Sequence, residues 1–154
     1  MTPGGQPLAR LFAIGFRDLV DGLHERLAMR GWHDVRRSYG FVLLAARGDG
    51  AQVGEIAALL GVTKQAASKL VAAMEEAGYV RRVVDPADGR ARTVALTSRG
   101  LRLLDAVEEI YVELEGQWAA VLGADRVEAL RADLETVLRR GHGGRLPPVR
   151  PGGG

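Results

Sequence analysis

The sequence predicts a mainly α-helical domain that carries one small β-hairpin. Apolar residues recur at three- and four-residue steps along most of the chain, which is typical of amphipathic helices. Near the middle, two β-rich pieces flank a stretch with strong turn chemistry. The length of 154 residues and the 47% hydrophobic content correspond to about one globular domain with its own core.

The two ends of the chain differ from the rest in composition. Residues 1–7 and 141–154 are rich in Gly and Pro and hold few apolar side chains. Such segments bury too little apolar surface to offset the entropy lost on ordering. We therefore expect disordered tails around a single domain of residues 8–140.

The first part of that domain is predicted to be helical. Leu8–Ala28 carries a continuous apolar stripe, and a second stripe follows the break at Gly31, from Val35 to Ala46. Arg47–Gln52 is a loop by composition.

The middle of the chain predicts two short helices joined by a three-residue turn. The first, Val53–Leu60, ends at Gly61. Thr63 is suited to cap the next helix, because its hydroxyl can accept from free amides of the first turn. That second helix should run from Lys64 to about Ala77.

A β-hairpin follows, with strands Val80–Val84 and Thr93–Thr97 on either side of a turn. A hairpin directly after two helices of this kind makes a winged helix-turn-helix. We call the hairpin the wing, and assign residues 32–97 to the winged module.

Long helices are predicted on both sides of this module, in residues 8–30 and 98–140. They carry more apolar surface than the small central core can cover. Since burying a large apolar side chain stabilises by about 1.5–3 kcal/mol, we expect these helices to pair across a two-fold axis as a homodimer. A monomeric helical bundle is the alternative.

The second short helix has two chemically distinct sides. At 100° per residue, its apolar residues fall on one side, and Lys64, Gln65, Ser68 and Lys69 fall on the other. Gln can bond an adenine edge, Lys can contact guanine or phosphate, and hydroxyls can contact either. We interpret this side as a DNA-recognition surface. The alternative is a polar side that only faces water.

The turn of the wing carries two arginines. Arg90 and Arg92 alternate with small residues, so a narrow loop can approach a nucleic-acid backbone closely. A guanidinium is favoured in an A·T-rich minor groove, and Asp88 is placed to orient the Arg90 fork. An ordinary polar turn is the alternative.

Several functional classes are excluded or disfavoured by composition. The chain has no cysteine, which removes disulfides and thiolate zinc sites, and its three histidines have no metal-ligand spacing. No Ser–His–Asp or paired-carboxylate arrangement is evident, so we expect no catalytic residues, no metal and no cofactor. No apolar run is long enough to cross a bilayer, and we expect a cytoplasmic protein without membrane contact.

Residues 56–100 resemble the DNA-binding core of the MarR family of bacterial transcription regulators. The matching patterns are TKQAxSxLVxxxExxGYVxR and DPxDxRxxxxxLTxxG, and the flanking helices agree in order and length from Leu8 to Arg140. One departure is Gly89, where family members usually carry another arginine.

The resemblance implies a homodimeric, sequence-specific DNA-binding regulator, in most cases a repressor released by a small ligand. By position, the residues facing the major groove are Thr63, Lys64, Gln65, Ser68 and Lys69. Arg90 would enter the minor groove with Asp88 as its partner, and Arg92 would lie near phosphate. Two modules would then address a pseudo-palindromic operator with half-sites about 10 bp apart.

The resemblance also implies a pocket for a small-molecule effector, often an aromatic acid, between the dimer helices and the DNA-binding module. The candidate lining residues are Phe16, Trp32, His33, Tyr39 and Tyr111. Aromatic residues at helical spacing also occur as ordinary core residues, and His33 with Arg36 and Arg37 is also suited to contact phosphate.

Two other functions stay open. A winged-helix module can act through protein contacts without binding DNA, and Gly89 favours this alternative. A small hydrolase would need a nucleophile, a base and an orienting acid in one cleft.

Overall fold

The computed structural model describes residues 4–84, 87, 89 and 92–147. Helices and a small sheet alternate in the order αα, β, αα, ββ, αα along the chain. Their bounds are α1 Leu8–Met29, α2 Tyr39–Ala45, β1 Ala51–Gln52, α3 Val53–Leu60, α4 Lys64–Glu76, β2 Val80–Val84, β3 Arg92–Leu96, α5 Ser98–Leu122 and α6 Ala124–Gly141.

The mainly helical fold class with a winged helix-turn-helix is confirmed. The predicted helices at Leu8 and Ser98 begin at those residues, and both strands of the wing lie within one residue of their predicted bounds. These elements have long periodic patterns or strong caps. Thr97, for example, caps α5 by accepting a hydrogen bond from the Gly100 amide at 3.0 Å.

Two predictions near the start of the module were wrong. The second helix begins at Tyr39 rather than near Val35, although Val35 still packs against the core. Within the predicted loop Arg47–Gln52, the last two residues form β1 and pair with Val94 and Thr93 of β3. A two-residue strand is too short to show a sequence period. Its formation depends on a pairing partner some 40 residues away in the chain.

The three strands form one antiparallel sheet in the order β1-β3-β2. β2 and β3 pair along their whole length, from Val80 opposite Leu96 to Val84 opposite Arg92. The sheet therefore extends from the core at Val80 to the exposed far end of the wing at Arg92.

The core lies where the end of α1, α2, α3, α4, the base of the sheet and the first half of α5 meet. Its largest fully buried side chains are Tyr79, Leu27, Leu43, Ile56, Met74, Leu103 and Ile110. α1 packs antiparallel on α5, so that Gly15 faces Trp118 and Gly22 faces Leu114. Ion pairs from Arg26 to Glu113 (3.0 Å) and from Arg30 to Glu109 (2.9 Å) join the same two helices.

The outer parts of the long helices expose apolar side chains. Leu8, Phe12 and Phe16 of α1 are about half to two-thirds exposed, and Val121 near the end of α5 is 84% exposed. In α6 only Val127 is buried among the described residues. Within the described ranges, no single helix is long and apolar enough to cross a membrane.

Candidate nucleic-acid interface

The turn between α3 and α4 directs the N-terminus of α4 outward. α3 ends at Gly61, whose φ of +70° is a left-handed conformation that favours glycine. Thr63 is extended, and its hydroxyl oxygen accepts a hydrogen bond from the Ala66 amide at 3.1 Å. The predicted N-cap is thus confirmed, and the two helices meet at 108°, as in a helix-turn-helix.

The two sides of α4 differ in burial as the sequence predicted. Ala67, Val71 and Met74 are fully buried against the core. The opposite side carries the five predicted groove-facing residues. Thr63, Lys64, Gln65 and Lys69 are exposed, and Ser68 is half-buried.

Ser68 is half-buried because a side chain of the wing covers it. Nη2 of Arg82, on β2, donates to the Ser68 carbonyl oxygen at 3.0 Å and lies 3.3 Å from the Ser68 hydroxyl oxygen. Sequence reasoning missed Arg82. The signal was its spacing of two from buried Val80, which places both side chains on the same face of the strand.

The wing strands lie next to α4 and are described up to Val84 and from Arg92 onward. Arg92 opens β3, is exposed and pairs with Val84 across the sheet. Ala87 and Gly89 are exposed as well. Asp88 and Arg90, the two other predicted wing residues, lie outside the described residues.

Two of the five predicted pocket residues belong to one aromatic cluster. The ring centroids of Trp32 and Tyr39 lie 6.1 and 5.9 Å from that of Tyr79, and the Arg99 guanidinium lies over Trp32 and Tyr79 at 5.2 and 4.8 Å. Tyr39 and Tyr79 are buried in the core. The cluster therefore connects the α1–α2 segment to the start of β2 and the start of α5.

Tyr79 is held by polar contacts as well as by packing. Its hydroxyl donates to Oδ1 of Asp34 at 2.6 Å and accepts from Nη2 of Arg99 at 3.3 Å. Burial, together with the bond to the Asp34 carboxylate, raises the pKa of Tyr79 to about 12.

The other three pocket candidates lie apart from this cluster. His33 is exposed, Phe16 is exposed on α1, and Tyr111 is half-buried on α5. Since Gly15, next to Phe16, contacts Trp118 of α5, Phe16 and Tyr111 are about two helical turns apart along this pair of helices.

A cleft of about 430 Å³ lies instead at the end of α5. It is lined by Gln117, Trp118, Val121 and Leu122 and by none of the five candidates. Within the described ranges, no group of three or more His, Asp and Glu side chains is arranged to hold a metal ion.

Known proteins share this fold. A family model described as the MarR family matches residues 39–91. Wild-type apo MarR from E. coli is 25% identical over 87% of this chain and 98% of that chain, with a TM-score of 0.71. No curated protein sequence matches the chain significantly.

Two similar structures contain a bound molecule. A variant of S. aureus MepR bound to an oligodeoxyribonucleotide is 24% identical over 88% of this chain and 99% of that chain, with a TM-score of 0.61. CouR from Rhodococcus jostii RHA1 bound to p-coumaroyl-CoA is 24% identical over 86% of this chain and 92% of that chain, with a TM-score of 0.64.

Proposed function

We propose that this chain is a sequence-specific DNA-binding transcription regulator of the MarR family, because the family model matches residues 39–91 and the winged-helix fold is that of MarR from E. coli. In this proposal it is a homodimeric repressor that binds a pseudo-palindromic operator and is released by a small ligand. Residues 32–97 bind DNA, and residues 8–30 and 98–140 form the dimer.

The observation that carries the proposal is the division of α4 into two sides. Ala67, Val71 and Met74 on its apolar side are fully buried, so the helix is fixed on the module. Lys64, Gln65 and Lys69 are exposed on the other side, in its first two turns. The helix N-terminus adds a partial positive charge at the same end. A helix of this diameter fits the DNA major groove, and the DNA-bound MepR variant has the same fold.

Each side chain has a role that its chemistry permits. Gln65 bonds an adenine edge, and Lys64 and Lys69 contact guanine acceptors or phosphate. Thr63 and Ser68 contribute hydroxyls. Arg92 contacts phosphate beside the wing, and Arg90, oriented by Asp88, enters the minor groove.

The homodimer is supported by the exposed apolar surface of the outer helices. Phe12, Phe16 and Val121 lie along the packed α1–α5 pair, and α6 exposes Val137. Several large apolar side chains exposed on neighbouring helices are typical of an interface in soluble proteins. A two-fold pairing through it would place two winged modules side by side, about 10 bp apart on DNA.

Ligand release is supported by the CouR structure, which holds an aromatic acyl-CoA on the same fold. The proposed lining of the ligand pocket is Phe16, Trp32, His33, Tyr39 and Tyr111. A ligand would contact Tyr39 only if the ring of this buried residue moves. The aromatic cluster around Tyr79 lies between the outer helices and α4, where a ligand would alter their relative position.

The function is tested by selecting binding sites for the full chain from random-sequence duplex DNA and then measuring affinity against salt. A pseudo-palindromic site should be enriched, and its affinity should fall steeply with salt because phosphate binding releases counterions. Lys69→Ala should weaken binding about tenfold or more and reduce the salt slope by about 1. Arg145→Ala, which removes an exposed charge outside the proposed DNA-binding and dimer regions, is the matched control. A protein-interaction module would enrich no site.

The dimer is tested separately by sedimentation. Val121→Glu places a charge in the proposed interface and should shift the protein to a monomer with unchanged helix content. Ala58→Glu, at an exposed position of α3, adds the same charge outside the interface and should stay dimeric. A Val121→Glu protein that remains dimeric would contradict the proposed pairing.

A further inference from the structure

Arg82 joins the wing to the middle of the recognition helix α4. Its Nη2 donates to the carbonyl oxygen of Ser68 at 3.0 Å and to the Ser68 hydroxyl oxygen at 3.3 Å. Its backbone amide donates to Oε2 of Glu75 at 3.4 Å, and its Nε lies 3.9 Å from Oε1 of Glu75. One residue of β2 therefore contacts two points of α4 that are seven residues, or about 10 Å, apart.

The Arg82 contacts with Ser68 lie near the proposed DNA-facing end of α4. Two other polar contacts lie at the opposite, C-terminal end. Arg99 donates to the Ala77 carbonyl at 3.2 Å, and Thr97 donates to the Gly78 carbonyl at 2.5 Å. Both bonds go to carbonyl groups just beyond the last residue of the helix, Glu76. Arg82 reaches Ser68, only four residues beyond the start of the helix at Lys64.

The guanidinium of Arg82 is suited to join the helix to the strand, because it is a planar group whose donors have a fixed geometry. The Arg82 side chain is only 24% exposed, and its Nε is buried without a hydrogen-bond partner among the described residues. The group is thus enclosed between helix and strand instead of extending toward solvent. It fixes the distance and the angle between α4 and the wing.

The contact also sets the polarity of the Ser68 hydroxyl. Arginine has only donors, so the Ser68 oxygen must accept from Nη2 and its own proton is left to donate. The hydroxyl proton can be donated to purine N7, guanine O6, thymine O4 or a phosphate oxygen, while Arg82 already occupies one of the two acceptor lone pairs. In addition, the positive charge of Arg82 offsets the Glu75 carboxylate, which would otherwise repel DNA phosphate.

On the basis of the proposed function, we infer that Arg82 is a positioning residue for DNA sequence recognition. It fixes α4 against the wing as one rigid unit and presents the Ser68 hydroxyl to DNA as a hydrogen-bond donor. Arg82 itself does not contact the DNA.

The first test compares Arg82→Met with Arg81→Met, the adjacent arginine of the same strand, which is exposed on the other face. Affinities are measured for the site selected by the wild type and for random-sequence duplex, each at several salt concentrations. Arg82→Met should weaken specific binding about tenfold and random-sequence binding less than about twofold, with an unchanged salt slope. Arg81→Met should leave the ratio of specific to random affinity unchanged.

Different outcomes exclude different explanations. A salt slope reduced by about 1, with equal loss on both duplexes, would mean that Arg82 contacts phosphate directly and would overturn the inference. An equal loss on both duplexes with a lower melting temperature would reduce Arg82 to a purely structural role, which also overturns it.

A second test uses milder substitutions and does not depend on the folding of Arg82→Met. Ser68→Ala, Arg82→Lys and the double variant form a cycle, because lysine keeps the charge and loses the fork. Ser68→Ala should weaken specific binding in the wild type and have little further effect in Arg82→Lys. Additive effects would overturn the inference.

The two proposals fail in distinguishable ways. If the wild-type chain enriches no sequence from random DNA, the proposed function itself is wrong. If the wild type enriches a site and Arg82→Met binds it with the same ratio of specific to random affinity, only the role of Arg82 is wrong.

Discussion

The two ends of α5 differ in what they contact, although they belong to one continuous helix. The first half packs into the core through Leu103, Leu104 and Ile110, whereas the end of the helix exposes Val121 and Leu122. The periodic apolar stripe runs through both ends without a break. Apolar periodicity thus indicates which side of a helix is apolar. Contacts with other elements of the same chain decide how much of that side is covered.

The largest expected effect comes from adding one methyl group at the inner end of α5. A Cβ at Gly100 would lie 2.1 Å from the Tyr79 carbonyl oxygen, which is backbone and cannot move aside. Gly100→Ala should therefore lower the free energy of unfolding by about 4 kcal/mol or more. At Gly116, farther along α5, nothing lies within 4 Å, so Gly116→Ala should raise it by up to about 1 kcal/mol. Urea denaturation measures both, and equal effects would contradict the contrast.

A second pair of variants compares buried and exposed leucines two residues apart. Leu103 is fully buried and Leu101 is 48% exposed. Leu103→Ala should cost about 3 kcal/mol, because it removes apolar contacts and leaves a cavity, and Leu101→Ala should cost less than about 1 kcal/mol. Chemical denaturation at one protein concentration gives both values. A comparable loss for both variants would show that Leu101 is covered in solution.

A smaller effect is expected from alkaline pH acting on the aromatic cluster. Because the pKa of Tyr79 is about 12 in the folded chain, against an ordinary value of 10.0, its contribution to stability is complete below pH 10. It is lost as the pH rises from 10 to 12, since the unfolded chain then ionises first. Tyr79→Phe should flatten the fall in unfolding free energy over this range.

Tyr111→Phe is the control for that measurement. Burial raises the pKa of Tyr111 also, but without a carboxylate partner, so its removal should change the alkaline slope less. Equal slopes for the two variants would contradict the role of the Asp34 bond.

The smallest effect concerns the ion pairs between α1 and α5. Arg30, whose side chain is 33% exposed, pairs with Glu109 and Glu113, whose side chains are 67% and 43% exposed. Arg30→Gln should lower stability by about 1 kcal/mol or less, and the difference should shrink in high salt. Arg102→Gln, which removes an exposed charge from α5, is the control. A loss that salt does not reduce would indicate a packing role for the Arg30 stem.

Most of the helix-turn-helix could be predicted because its signals are local. The Thr63 cap, the glycine at position 61 and the two-sided pattern of α4 each act over a few residues, and the structure confirms each. The start of α2 at Tyr39 and the strand β1 were not predictable in this way. Both depend on distant partners, namely Tyr79 for the Tyr39 ring and β3 for β1.

In the candidate site, too, some features follow from local sequence patterns and others from contacts between distant residues. The outward placement of Lys64, Gln65 and Lys69 follows from the helical period alone, and the structure agrees. The half-burial of Ser68 by Arg82 and the inclusion of Tyr39 in the core depend on contacts between residues far apart in the chain. The roles assigned to Asp88 and Arg90 remain predictions.

By itself, the sequence determined the order of the helices and of the two wing strands, the Thr63 cap and which side of α4 carries polar groups, because these depend on backbone geometry and on periods of a few residues. Only the tertiary structure decided that Arg82 reaches Ser68 and Glu75 across the groove between helix and strand. It alone also showed that Trp32, Tyr39 and Arg99 meet around Tyr79. Contacts of this kind join residues far apart in the chain, and no local pattern encodes them.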